Sequence, residues 1–430
     1  MAANPTNPNN KKDALSKIET LRRQGVTIPD PQSVYIDDDV DVRRISGHNV
    51  LICPGARIHG KTTFIGQGAK IGTEGPATLK NARLGSNVEL KSGFYEGSVF
   101  LKDVIMGSGS HVREGCLLEE GSSAAHTVGL KQTILFPFAT LGSLINFCDC
   151  LMSGGTSRKD HSEVGSSYIH FNYTPNQDKA TPSLIGDVPH GVMLSQPPIF
   201  LGGQGGLAGP CRIAFGTVIA AGAIHRKDVL KPNRLVIDGK GKGGQIRHRP
   251  GLYSGIRRIV KNNLIYIANL IALKHWYKDV RSLFISDDFP EPIFSGATQT
   301  IDLAISERLK RLRGFSEKMP KSIDIQKRMQ TGNEFSEMFR QQEEFNKKWP
   351  EIENLLINGQ NREEGNQAKD KFLEHASFLI HEFGPDYITV IKNLPDEISA
   401  YGTDWLNGII EEMEHDVSRI IPALELMKTA

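Results

Sequence analysis

The sequence predicts a mainly β protein, a parallel β-helix of hexapeptide repeats followed by an α-helical C-terminal region. Three observations carry this. Apolar residues recur every six positions between about residue 50 and residue 230. Of the 43 glycines, 33 precede residue 251, and all three tryptophans (Trp276, Trp349, Trp405) follow it. The architecture therefore changes near residue 250. The expected domains are 1–24, a disordered start and short linker helix; 25–250, the β-helix; and 251–430, the helical region.

In chain order, Lys12 to Gln24 reads as a helix with Leu15, Ile18 and Leu21 on one face, closed by Gly25. The period of six then begins with Ile52 and Ile58, and with Ile65 and Ile71. A longer ladder runs Val88, Phe94, Phe100, Met106, Val112, Leu118, Ala124, and a third runs Leu201, Leu207, Ile213, Ile219. Neither 3.6 residues per turn nor 2.0 generates that period, whereas a prism with one inward apolar side chain per six-residue side does. Three sides make a coil, so the stretch holds roughly nine or ten coils. At about 4.8 Å per coil the prism is roughly 40–50 Å long. The polar run Gly154 to Ser162 is expected to project as a loop. Gly202 to Gly209 lacks the Lys-Ser/Thr of a phosphate loop and reads as a tight corner. Beyond Pro250, Ile256, Ile259, Val260, Leu264, Ile267 and Ile271 trace a helical stripe. Asp302 to Arg313, Phe335 to Lys348, Lys371 to Phe383 and Tyr401 to Lys428 complete a five-helix bundle or cap, with a partner-binding groove as the alternative use of its stripes.

Composition narrows the function. With 51 Lys+Arg against 49 Asp+Glu the net charge is +2, which argues against a dedicated nucleic-acid binder. No apolar run reaches the roughly 20 residues of a membrane span; Leu264 to Leu273 is short and contains Asn269. The polar, Asn/Pro-rich start lacks a signal-peptide pattern, and five scattered cysteines suit a reducing compartment, so a cytoplasmic protein is expected. Cys148 and Cys150 form C-x-C without a second pair, so no metal site is expected.

Three segments carry a resemblance. TLRRQGVTIPDPQSVYIDDDVDV with ICPGARIHGKTTFIGQGAKIG, then IHFNYTPNQDKATPSLIGDV, then IAFGTVIAAGAIHRKDV resemble the bifunctional N-acetylglucosamine-1-phosphate uridyltransferase / glucosamine-1-phosphate N-acetyltransferase family. The similarity covers roughly residues 15 to 230, the acetyltransferase part, and implies a left-handed β-helix. The family's nucleotidyltransferase segment does not precede it here and the helical region lies outside the family pattern, so acetyl rather than uridyl transfer is implied.

The resemblance also implies a homotrimer with sites between neighbouring prisms, an amino sugar phosphate or nucleotide sugar as substrate, and acetyl-CoA as co-substrate. Arg113 and Lys131 fall at cationic positions, Asn172 and Tyr173 match directly, and Lys179 lies within a residue of the next lysine. Phe147 stands where a tyrosine is expected. The chemistry needs a base for a protonated amine, donors for the thioester oxyanion and cations for the phosphate. Ser143-Leu144 occupies the family's histidine position, leaving His126 and His170 as alternative catalytic bases. Ala220 and Ala221 resemble small positions beside the cofactor, and the Gly239 to Gly244 segment with Arg247 and Arg249 is a candidate contact for the phosphates of coenzyme A, or a linker. Two functions follow: an acyltransferase related to UDP-N-acetylglucosamine biosynthesis, or a non-catalytic sugar-phosphate-binding scaffold whose helical region engages a protein partner.

Overall fold

The computed structural model describes residues 8–237, 248–329, 337–361 and 366–426. Helix α1 (Pro8–Arg23) leads into a parallel β-solenoid of about eleven turns. The turn number exceeds the expected nine or ten because coils already form at Tyr35–Ile36. The start expected to be disordered falls partly on residues 1–7, outside the described residues.

The prism has three faces. The first carries ten strands, from Leu51–Ile52 to Leu235–Val236. The second runs from Tyr35–Ile36 through Ser110–Val112 to Ile224–His225, and the third from Phe64–Ile65 through Cys116–Leu118 to Arg212–Ile213. Two eight-residue strands, Val128–Leu135 and Ile145–Met152, turn the corner from second face to third. Corners take left-handed backbone, at Asn81 (φ 52°), Asn87 (φ 59°) and Asp149 (φ 61°) among others. Gly60 shows the tightness of the stack, since a Cβ there would lie 2.3 Å from Asn81 Oδ1 of the next coil.

Inside, the period-six ladders stack as expected except at Phe94. Tyr95 fills that interior position instead, because the chain takes two five-residue steps from Leu90 to Phe100 around Gly93 and Gly97. Phe94 turns outward and lies against the His111 ring, centroids 5.1 Å apart. Residues 154–162 form a small hairpin of Gly155–Ser157 with Asp160–His161, while Gly206–Ala208 is a regular strand of the second face.

The helical region has more helices than the expected five: α3 (Ile256–Asp279), α4 (Glu291–Ser316), α5 (Met319–Lys327), α6 (Glu337–Gly359), α7 (Gln367–Phe383), α8 (Tyr387–Lys392) and α9 (Asp396–Ile420) follow the four-residue α2 (Val188–Gly191). Prolines at helix starts, Pro292 and Pro320, mark boundaries that apolar periodicity alone does not. No helix among the described residues is long and apolar enough to cross a membrane.

This region lies along the third face. There the outward side chains Val99, Leu117, Ile134, Leu151 and Leu184 stack in register and are all buried in one cluster with α3, α4 and their neighbours. Burying each removes about 2 kcal/mol of exposure cost. Arg83 continues the column: it donates to Pro292 O (3.1 Å) and Gln299 Oε1 (2.7 Å), and only glycine at 296 leaves it room. Three buried asparagines of α3 bond the solenoid's loops, Asn262 to Asp228 Oδ1 (2.9 Å), Asn263 to Ala180 O (2.9 Å) and Asn269 from Val188 N (2.9 Å). At the first-to-third-face corner Arg281 pairs with Glu120 over the Tyr387 ring, 3.8 Å from its centroid, and Glu119 accepts from Tyr277 Oη (2.6 Å).

Two measurements follow. Leu117→Ala should lower the unfolding free energy by about 2–5 kcal/mol in denaturant titrations, as for other buried leucines. Burial pushes the Glu119 carboxyl up from 4.5 to about 7, against the pull of Arg281. The folded state therefore holds a proton that the unfolded chain has released, and this contribution to stability is present below about pH 4.5 and lost as pH rises towards about 7. Glu119→Gln should gain on the wild type across that window, by about 3 kcal/mol at most, in unfolding curves taken at each pH.

Candidate functional site

The corner strands build an edge between the second and third faces. Arg113 opposes Lys131 in the next coil, Arg113 N donating to Leu130 O (2.9 Å), and Lys131 opposes Cys148 in the one after. Asn172 follows the strand Ile169–Phe171 of the succeeding coil. Four coils thus stack Arg113, Lys131, Cys148 and Phe171 in one column about 14 Å long, and Asn172 stands one residue past its end, opposite Asp149 at the corner. Arg113 is exposed, with Nη2 3.9 Å from Cys148 Sγ. Lys131 pairs with Glu114 (2.7 Å), which holds that carboxyl below its usual range. Burial raises the Cys148 thiol above its ordinary value.

Beyond the column, residues 172–182 leave the prism before the chain rejoins the third face at Ser183–Ile185. Tyr173 is 63% exposed on this loop, and Lys179 is exposed at its far end. Thr174 and Asp178 bond each other within it. Asp149 and Arg308, neither singled out by sequence, complete the edge. Arg308 Nη2 lies 2.5 Å from Asp149 Oδ1, both residues buried, and Asn172 Nδ2 donates to Asp149 Oδ2 (2.9 Å). A signal existed: Arg308 interrupts the apolar face of α4 marked by Ile301, Ile305, Leu309 and Leu312, and Asp149 sits between two buried cysteines.

The second edge joins the first and second faces. His126 is exposed there, Nδ1 3.4 Å from Thr127 Oγ1, and Leu144 N of the next coil donates to His126 O (3.1 Å). Leu144, 53% exposed with φ 61°, thus stands one coil beyond His126 at the same corner. Ala220 and Ala221 lie on this edge too, between Val218–Ile219 and Ile224–His225, about four coils or 19 Å from His126. Val128–Leu130 separates the two edges, so His126 and Lys131 stand about 15 Å apart in one chain.

His170 belongs to neither edge. It takes an interior position, in register with Leu207 and 2% exposed, its ring beside that of Phe147 and its Nε2 2.8 Å from Ser183 Oγ. It shares no face with Asn172, because the strand ends at Phe171 and Asn172 sits at the corner, outside the alternation. Burial lowers the His170 pKa to about 4. A ring enclosed in the prism does not reach a substrate on its surface. Phe147 is likewise an interior ring, and the outward neighbour of Lys131 is Cys148. The segment Gly239 to Gly244 and Arg247 lie outside the described residues. Among the described residues, no group of three or more His, Cys, Asp or Glu side chains is placed to hold a metal ion.

The fold and these edges define a hexapeptide-type parallel solenoid with a cationic column. The chain is similar over about half its length to proteins described as bifunctional protein GlmU. That of Thermotoga maritima is 28% identical over 216 residues, 50% of this chain and 43% of the relative. The Nocardia farcinica protein is 27% identical over 239 residues (54% and 43%), and that of Pelobacter propionicus 28% over 210 (49% and 40%). The chain thus spans less than half the length of these curated relatives. No protein-family model matches it.

In proton NMR titrations the His170 imidazole should not titrate between pH 5.5 and 8, because burial holds it neutral down to about pH 4.

Proposed function

We propose that this protein is a trimeric acyltransferase that moves an acetyl group from acetyl-CoA to the amine of an amino sugar phosphate, in a pathway related to UDP-N-acetylglucosamine. The observation that carries the reading is the column of Arg113 and Lys131 with Asn172 at its end, in a solenoid similar over half its length to bifunctional protein GlmU. Arg113, Lys131 and Lys179 hold the phosphate; Asn172 and Tyr173 orient the sugar ring. His126, the exposed histidine one coil from the Ser143-Leu144 position, takes a proton from the sugar ammonium. The freed amine attacks the thioester carbonyl, the tetrahedral intermediate loses a proton from nitrogen as it collapses to the amide, and coenzyme A leaves as the thiolate, which takes up that proton. Ala220 and Ala221, on the edge that carries His126, leave room for the pantetheine arm.

Trimerisation gives this scheme its geometry. The two edges are about 15 Å apart within a chain, so the phosphate column of one copy meets the His126 edge of a neighbour. The third face is covered by the chain's own helices, which leaves the first and second faces for such contacts. The acetyl donor, the trimer, the cytoplasmic setting and a partner for the helical region are parts of the proposal. The same 15 Å separation favours a second reading, a sugar-phosphate-binding scaffold without catalysis.

Thiol release from acetyl-CoA in the presence of glucosamine-1-phosphate separates the two. On the first reading the wild type turns over, His126→Ala loses about 10²–10⁴-fold in kcat, Asn172→Ala loses kcat/KM, and the trimer appears in sedimentation. No turnover, with glucosamine-1-phosphate still raising the melting temperature, selects the scaffold.

A further inference from the structure

We propose that the helical region is a built-in positioning device for the loop of residues 172–178, with Arg308 as the residue that sets Asn172; this rests on the reading of that loop as part of the substrate pocket. Two clamps carry the inference. At the near end, Arg308 of α4 reaches the prism edge and pairs with Asp149, whose other oxygen accepts from Asn172 Nδ2. At the far end, Asn176 is held from both sides of its amide by the start of the helical region: Nδ2 donates to Leu252 O (3.2 Å) and Oδ1 accepts from Gly251 N (2.8 Å). Between the clamps, Tyr173 stands out into solvent.

The choice of a charged pair is informative. The nearest residues to Arg308 on the buried face of α4, Ile301, Ala304, Ile305, Leu309 and Leu312, are apolar, and an aliphatic side chain there would serve packing without the desolvation cost of two buried ions. What the pair adds is direction. An ionised carboxylate only accepts hydrogen bonds, so Asp149 fixes which way the Asn172 amide points: Nδ2 inward and the carbonyl oxygen left to accept. Arg308 takes the other carboxylate oxygen, Asp149 Oδ1, and so holds in place the carboxylate that faces Asn172. A ligand at this edge therefore meets an acceptor at Asn172, beside donors at Arg113 and Lys131, and offers it a hydroxyl or an amine N–H while its phosphate takes the cations. The helical region, which lies outside the part of the chain that resembles the acetyltransferase family, thereby enters the site without touching substrate.

The test uses the full chain and two readouts. Hydrogen–deuterium exchange of residues 172–178 should accelerate at least about tenfold in Arg308→Gln, with residues 51–106 unchanged. In turnover of glucosamine-1-phosphate with acetyl-CoA, KM should rise about tenfold with kcat within about a factor of two, and Arg308→Lys should recover part of it. Should Arg308→Gln fail to fold, Asn176→Ala at the far clamp and the neutral pair Asp149→Asn with Arg308→Gln carry the same expectations. Loop exchange that stays at the wild-type rate, or that rises equally throughout the chain, overturns the proposal. Selective loop exchange with no wild-type turnover overturns acetyl transfer alone and leaves the tether standing.

Discussion

A solenoid of this kind satisfies its interior with one apolar side chain per side, and its outer surfaces are free to be polar. Here one outer surface is not. Val99, Leu117, Ile134, Leu151 and Leu184 point away from the prism, stacked coil upon coil, and cannot be left in water. Their burial requires a second layer, and the helical region supplies it with α3 and α4. The other features follow from that contact. The asparagines of α3 satisfy backbone groups of the solenoid loops that the layer would otherwise strand, and Arg83 and Arg281 bridge the seam where apolar packing ends. Arg308 reaches the edge where Asn172 stands because α4 is already laid along the face.

The contact also separates two kinds of charge. Arg281 and Arg308 are enclosed and matched to Glu120 and Asp149, as buried ions must be. Arg113 and Lys179 remain on the surface, where a solvated cation can trade water for phosphate at modest cost. The enclosed pairs fix geometry and the open ones are available to bind. That division explains how a prism edge can be both rigid and receptive.

The solenoid was legible because period six has few structural explanations, and most of its inward column was named correctly from sequence. Phe94 was not, since two shortened steps shift the register by one residue and exchange it with Tyr95. The destination of the helices had a signal that period six obscures: Val99-Phe100-Leu101 and Cys116-Leu117-Leu118 are apolar on both sides of the strand, as strands covered on both faces are. Arg113, Lys131 and Asn172 were singled out by resemblance alone, and the fold places them within four successive coils at one edge. His170 could not be told from a surface histidine by sequence alone, because it takes an interior position that period six usually gives to an apolar residue. Arg308 stands out as a break in the apolar face of α4, but its pairing with Asp149, 159 residues away along the chain, lies outside any local pattern.

A stack of coils ordinarily behaves as a chain of neighbours, each held only by the one above and the one below, and it can open from either end. Splinting one side changes that. The coils from Phe64 to Leu184 share a common lateral support, whereas the earlier ones rest on α1 and on each other. The molecule is therefore mechanically graded, with a stiff middle that opens as a block and an N-terminal stretch that can unravel coil by coil. The candidate pocket sits in the splinted part.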